Sequence, residues 1–322
     1  MADSTEGDTD AQYLGLLVLA LITLIPGLVI HLFIIRVNVT DWWKGRSVTP
    51  VDHVVTSLGI SRMCIQCANI LYFFIYPLFR QNLDLLVTLL IGLICDSLNY
   101  VNMWLTSLFS IVLCLKISNF HTRLFLYLRG MIVHRTVYLI GASVLLSAVN
   151  SLISLLLTVT KISSGGTYNT TMANPMTNCA DSDYVYPVTI AVSFPLLFYC
   201  IFSVLLFTSL YHHTTKMKMS SNSSINLETY YSLMKFVSIT FIYNTVYFIC
   251  YISCILYYFV YCVNPDRLYI VLDFLTVLHS SYLIYKTAKL RSQMSKVLQN
   301  ITDFLFLRKD TETRENIEVV DL

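Results

Sequence analysis

Arg62 lies inside an otherwise apolar stretch, "SLGISRMCIQC" at residues 57–67. An arginine at the centre of a bilayer costs between about 2.5 and more than 10 kcal/mol, depending on how the cost is measured. Its guanidinium carries five N–H donors, which need acceptors when water is excluded. His31, His279 and Ser280 fall at similar depths in other apolar stretches and can supply those acceptors. We therefore predict that Arg62 faces the inside of a helix bundle and ties the first, second and seventh helices together, either as a purely structural clasp or as part of a switch.

Two carboxylates also lie within apolar stretches. Asp96 precedes Asn99 by one helical turn, so the two side chains share nearly one face of a helix. Asp273 lies in the outer half of the last apolar stretch. Carboxylates inside a membrane are rare and usually mark an interior functional site. A pair of them favours a cationic ligand, although each could instead serve a local hydrogen-bond network or face the outer water.

Other chemistries find no support in the sequence. We find no catalytic triad, glycine-rich phosphate loop or metal motif, so we expect no enzyme activity, cofactor or metal. Cys64 and Cys67 form a C-x-x-C pair, but it lies inside the same apolar stretch and indicates packing. The net charge of +2 is too small for a nucleic-acid-binding protein.

The composition predicts a membrane protein. Hydrophobic residues make up 56% of the 322 residues and charged residues only 12%, about half the share of a soluble domain. Seven stretches are long and apolar enough to cross a bilayer as helices. They lie at residues 13–35, 53–75, 83–115, 136–158, 187–210, 235–260 and 267–285. The expected fold is an all-α bundle of seven transmembrane helices.

Basic residues predict the orientation of this bundle. Seventeen of the 21 lysines and arginines fall in the first, third and fifth loops or after the last span. Since such residues favour the cytoplasmic side, the N-terminus lies outside and the C-terminus inside. We expect an extracellular segment at 1–12, a receptor domain at 13–291 and a cytoplasmic tail at 292–322, disordered over "RKDTETRENIEVVDL". The acidic N-terminus lacks the basic start of a signal peptide, so the first span is retained.

Four motifs, in order along the chain, resemble those of the type 2 (bitter) taste receptors, a family of G-protein-coupled receptors. They read "VNVTDWWKGRSVTPVDHVVTSLGISR", "WLTSLFSIVLCLKISNFHTRLFLYL", "SLYHHTTKM" after Pro195, and "HSSYLIYKTAKLR". Three positions depart from the family pattern, because His31 and Thr287 replace asparagines and Ile239 replaces a serine. This divergence indicates a remote member whose ligands cannot be borrowed from relatives.

The resemblance implies roles for residues on both sides of the membrane. A ligand site near the outer end contains Asn99 and Tyr247. Asp96 is not part of the family pattern; it and Cys95, Tyr269, Leu272 and Asp273 are expected neighbours from their positions in the sequence. A switch core comprises Arg62, His31, His279, Ser280 and Trp104. The inner face that meets the G protein includes Lys116, His213, Met217 and Lys289.

The implied protein is a multi-pass plasma-membrane receptor. Small organic agonists, cationic ones among them, would activate a heterotrimeric G protein of the gustducin or inhibitory type. A type 1 vomeronasal (pheromone) receptor shares the scaffold and is the nearest alternative. A seven-helix transporter is a second one, although its internal repeat is not visible.

The predicted orientation exposes a single glycosylation sequon, at Asn169 in the second outer loop. We expect Asn169→Gln to increase gel mobility by the mass of one glycan. Equivalent changes at Asn38, Asn222 and Asn300 should leave mobility unchanged, because these sequons face the cytoplasm. A shift from any of these three variants would overturn the orientation.

Overall fold

A computed structural model of the chain describes residues 3–79, 85–118, 123–163, 182–219, 224–261 and 266–320. These residues form eight α-helices and, within the ranges described, no strand. The helices are α1 Asp3–Trp43, α2 Pro50–Phe79, α3 Leu85–Ile117, α4 Arg123–Ser163, α5 Ser182–Met219, α6 Ser224–Tyr261, α7 Asp266–Lys286 and α8 Ala288–Val320.

The seven predicted spans are confirmed. Helices α1 to α7 each contain a segment apolar and long enough to cross a membrane. These segments are Leu14–Trp43, Pro50–Leu71, Leu90–Ile117, His134–Leu157, Thr189–Lys216, Tyr230–Tyr257 and Arg267–Lys286. Most helices extend beyond the predicted spans, because helical hydrogen bonding continues into polar residues that hydropathy alone does not count.

The chain divides into two compact units, Met1–His279 and Ser280–Leu322. In the first unit, α3 is the central helix and packs against α2, α4 and α5. Helix α1 packs against α2, and α6 packs against α5. The membrane segment of α3 is also the most deeply buried of the seven, so side chains on several of its faces point into the protein. The second unit consists of the end of α7 and helix α8.

The turn between α1 and α2 is closed by residues suited to helix ends. Gly45 adopts a φ of 67° just after α1, and its N–H donates to the carbonyl of Trp42 at 3.0 Å. Glycine adopts this left-handed conformation without steric cost. Thr49 caps α2, since its hydroxyl and N–H both donate to Asp52 Oδ2, at 2.8 and 3.0 Å. The backbone N–H of Asp52 donates back to the Thr49 hydroxyl at 3.3 Å, which completes a capping box.

Apolar side chains cover the outside of the bundle. On α1 they include Leu19, Ile25 and Val29, each more than half exposed. An apolar surface of this extent suits hydrocarbon rather than water, which agrees with a membrane location.

The prediction of a disordered tail is wrong. Helix α8 continues from Ala288 to Val320, through most of the polar segment at the end of the chain. Disorder was predicted from the low hydropathy of the tail alone. That segment is rich in Glu, Lys and Arg, which are strong helix formers even though they do not favour burial.

Close approach of α1 and α2 depends on a glycine. A Cβ placed on Gly27 would collide with the side-chain amide of Gln66 on α2. The Gln66 side chain is buried and lies near His31, one turn along from Gly27. A larger residue at position 27 would therefore displace the Gln66 side chain. Nearer the inner end of the same pair of helices, buried Asn38 donates to Thr56 Oγ1 at 2.9 Å.

We expect Gly27→Ala to lower the thermal stability of the detergent-solubilised protein, by an amount corresponding to about 1–3 kcal/mol of overpacking. Gly15→Ala in the same helix is the matched control, because a Cβ there meets no atom within 4 Å. The control should match or slightly exceed the wild type, since alanine favours helix over glycine. If both variants melt together, Gly27 does not set the spacing of α1 and α2.

Candidate functional site

Arg62 joins three helices through buried hydrogen bonds. Its Nη1 donates to His279 Nδ1 on α7 at 2.8 Å, and its Nε donates to Asn102 Oδ1 on α3 at 3.3 Å. All three side chains are at most 3% exposed. Because a guanidinium only donates, Nδ1 of His279 acts as the acceptor and the imidazole proton sits on Nε2. The prediction that Arg62 faces the bundle and bonds α7 agrees with this geometry.

The remaining members of the predicted switch core occupy different surroundings. His31 on α1 is completely buried, and Gln66 and Arg62 of α2 lie near its ring. Trp104 is half-buried, and its ring packs on Phe198 of α5 with centroids 6.2 Å apart. The structure therefore places Trp104 at the contact of α3 and α5 rather than among the hydrogen bonds of Arg62. Ser280 is buried and belongs to the second unit.

A second polar bridge joins α2 and α7. The side-chain N–H₂ of Asn69 donates to both carboxylate oxygens of Asp273, at 3.0 and 3.1 Å. Both residues are buried. Asn69 lies about 10 Å outward from Arg62 along α2, and Asp273 lies about 9 Å outward from His279 along α7. Two bridges with matching spacing fix how far one helix can slide along the other.

The predicted ligand residues Asn99 and Tyr247 meet between α3 and α6. The Tyr247 hydroxyl donates to Asn99 Oδ1 at 3.4 Å, and the Asn99 amide donates to the carbonyl of Cys95 at 2.9 Å. Tyr247 and Leu272 belong to one buried cluster of mainly aromatic residues, and Tyr269 packs against it. The other buried members are Tyr100, Met103, Val192, Tyr199, Phe248, Tyr251 and Cys254.

The two carboxylates differ in exposure. Asp273 is 7% exposed and both its oxygens accept from Asn69, whereas Asp96 is half-buried on α3. Asp96 interacts electrostatically with Tyr100 and Cys95, and Cys95 also interacts with Asp273. Both carboxylates thus lie around Cys95. We call Asn69, Cys95, Asp96, Asn99, Tyr247 and Asp273 the outer polar site.

The predicted inner-face residues lie at helix ends. Lys116 is exposed in the last turn of α3. The His213 ring on α5 stacks on Tyr230 of α6, with centroids 4.6 Å apart. Its neighbour Thr214 donates to Met234 Sδ at 3.5 Å, so α5 and α6 are joined at their inner ends. Lys289 is half-buried in the second unit. The Met217 side chain and Asn169 lie outside the described residues.

Sequence reasoning missed three residues of the site, and a periodic signal could have found them. Arg62, Gln66 and Asn69 are spaced i, i+4 and i+7 along α2, so they share one face of the helix. Asn102 follows Asn99 by one turn of α3 in the same way. Polar residues that recur at helical spacing identify the face of a helix that forms hydrogen bonds with other helices. Among the described residues, no cluster of three or more His, Cys, Asp or Glu side chains could hold a metal ion.

Known proteins share both the sequence pattern and the fold. The profile of the family described as Taste receptor protein (TAS2R) matches residues 9–302. The rat Taste receptor type 2 member 16 is 26% identical over 224 residues, which cover 65% of this chain and 70% of the relative. The rat Taste receptor type 2 member 117 is 32% identical over 136 residues, covering 40% of this chain and 41% of the relative.

The crystal structure of squid rhodopsin superposes with a TM-score of 0.65 at 14% sequence identity. The superposition covers 91% of this chain and 87% of that protein. At this identity the likeness concerns the fold, a bundle of seven transmembrane helices.

We expect Arg62→Ala to abolish signalling, because it leaves the buried acceptors on Asn102 and His279 without a donor. Each unsatisfied buried group costs about 1–3 kcal/mol. Arg62→Lys keeps the charge but lacks the planar fork that reaches two partners, so it should retain partial function. Surface expression and G-protein activation should be measured together. A normally expressed Arg62→Ala variant with a normal response would show that these hydrogen bonds are dispensable.

Proposed function

Because the chain belongs to the TAS2R taste receptor family of G-protein-coupled receptors, we propose that it detects bitter-type small organic molecules at the outer polar site. Binding there would activate a heterotrimeric G protein of the gustducin or inhibitory type. The family match over residues 9–302 favours this function over the pheromone-receptor and transporter alternatives. A receptor of this kind resides in the plasma membrane as a multi-pass protein.

The hydrogen bond from Tyr247 to Asn99 is the observation that carries this proposal. At 3.4 Å it is long, and a hydrogen bond of this type contributes only about 0.5–1.5 kcal/mol. A ligand that offers its own hydrogen-bonding group to Asn99 can replace the tyrosine at little cost. Tyr247 lies on α6, so the replacement would release α6 from α3.

A movement of α6 would also change the packing of helices at the inner side of the bundle. The aromatic cluster couples α6 to α5 through Tyr199, whose ring stacks on Phe241 with centroids 5.7 Å apart. At the inner ends, His213 and Tyr230 hold the same two helices together. A ligand that shifts α6 would therefore favour a helix packing whose inner face differs from that of the unliganded protein. The more tightly the ligand binds this packing relative to the unliganded one, the larger is the fraction of molecules that adopt it. His213, Lys116, Lys289 and Met217 are the residues we propose to meet the G protein.

Expression of the receptor with a G-protein α subunit that couples to calcium release tests this function. We expect at least one compound of a bitter panel to raise intracellular calcium, and the response to require both the receptor and the G protein. A surface-expressed receptor that stays silent across the panel would contradict the proposal, as would compound uptake that is independent of the G protein.

The difference in exposure between the two carboxylates leads to a prediction about ligand charge. We expect Asp96→Asn to weaken cationic agonists at least tenfold and to leave neutral agonists nearly unchanged, since a partly desolvated carboxylate attracts a cation strongly. Asp273→Asn is the matched comparison. It should lower expression, or the response to both classes alike, because Asp273 is engaged by Asn69. Equal losses for charged and neutral agonists in Asp96→Asn would remove Asp96 from ligand selection.

A further inference from the structure

A cleft of about 410 Å³ opens on the outside of the bundle between α3, α4 and α5. Its lining residues are Trp104, Leu146, Asn150, Ile153, Ile190, Ala191 and Phe194. All of them lie within the membrane-crossing segments of their helices. The volume falls within the range of pockets that hold small organic molecules.

The cleft is separate from the outer polar site. Trp104 and Asn99 are five positions apart on α3, which places their side chains about 140° apart around the helix. Leu146, Ile153, Ile190 and Phe194 are each 45–56% exposed, so the cleft opens towards the surrounding hydrocarbon. A molecule would enter it from the bilayer rather than from the outer solution.

Among the described residues that line the cleft, Asn150 is the one with an amide side chain. It is half-buried on α4, about 10 Å inside the end of the span at Leu157. Within the part of the chain that the structure describes, its side-chain amide makes no hydrogen bond. Besides the hydrogen bonds of the helix itself, its backbone carbonyl accepts from the Ser154 hydroxyl at 3.1 Å.

Asn150 differs from the buried hydroxyl residues of this helix, which are satisfied locally. The hydroxyls of Thr136, Ser143, Ser147 and Ser151 each donate to the backbone carbonyl four residues earlier. An amide without a partner in an apolar medium is unfavourable. A molecule in the cleft that pairs with Asn150 would offset that cost.

We propose that this cleft binds an uncharged, lipid-soluble molecule of about steroid size, whose carbonyl or hydroxyl group pairs with the Asn150 amide. The lining carries no charge, so it gives an ionised ligand no partner. The aromatic faces of Trp104 and Phe194 and the flanking aliphatic side chains suit a rigid apolar body. Val192, next to Ala191, is buried in the same aromatic cluster as Tyr247. Occupancy is therefore able to alter the packing around the outer polar site.

A progesterone analogue that carries a diazirine tests this site without any known agonist. The full-length receptor in phosphatidylcholine nanodiscs is irradiated with the probe, and labelled peptides are mapped by mass spectrometry. We expect saturable labelling of α4 and α5 residues around the cleft, which excess progesterone prevents. The outcome does not depend on the proposed ligand chemistry of the outer polar site.

Three variants sharpen the test. Asn150→Leu keeps the bulk and removes the amide, so it should fold normally in lipid and lose about three- to tenfold in probe affinity, the value of one hydrogen bond. Ala191→Phe fills the cleft and should abolish specific labelling. Ala142→Phe adds the same ring at an exposed position of α4 outside the cleft and should leave labelling unchanged. Unsaturable labelling spread over the lipid-facing surfaces, or equal labelling of the wild type and Asn150→Leu, would overturn the proposal.

Discussion

The packing of the bundle depends on Arg62, because its guanidinium is buried away from water and needs hydrogen-bond acceptors from other helices. Arg62 on α2 can remain there only if α3 and α7 bring acceptors to it, and Asn102 and His279 do so at 3.3 and 2.8 Å. This requirement selects the rotation of three helices at once. The bridge from Asn69 to Asp273, two turns further out, then fixes the register of α2 against α7. Gly27 on α1 also affects how closely α1 approaches α2, because it leaves room for the Gln66 side chain.

These polar contacts differ in strength between helices, so that some helices are fixed more firmly than others. Helices α2, α3 and α7 are linked by charge-assisted or carboxylate hydrogen bonds, which are about twice as strong as neutral ones. Helix α6 is held to α3 by the long hydrogen bond between Tyr247 and Asn99 and by packing in the aromatic cluster. It is held to α5 by aromatic packing and by the hydrogen bond from Thr214 to Met234. None of these contacts involves a charge, so the proposed ligand would change the position of α6 at a lower cost than that of α2 or α7. Under the proposed function, this difference would let a small molecule near the outer end act on the inner face.

Much of the fold and part of the site could be predicted from the sequence. The seven spans follow from hydropathy, and an arginine in a span points to the interior, where His279 meets it. Asn69, Gln66 and Asn102 were missed although their helical spacing marks them as parts of polar faces. The partner that each face meets depends on helix rotation and crossing, which no single helix reveals. The partial exposure of Asp96 and the hydrogen bonds of Asp273 could not be predicted either, because both residues are carboxylates in apolar stretches and the sequence does not distinguish them. Helix α8 was missed because low hydropathy reports burial and not helix propensity.

A double-mutant cycle on Arg62 and His279 tests this account most directly. Arg62→Met and His279→Phe keep the approximate volume of each side chain, and the double variant removes both ends of the hydrogen bond. Unfolding of the purified receptor in detergent gives the free-energy change of each variant. The account predicts that the double variant is less destabilised than the sum of the single variants by at least about 1 kcal/mol, because each single change leaves a buried polar group unpaired. Additive effects within about 0.5 kcal/mol would contradict it and show that Arg62 does not hold α2 to α7.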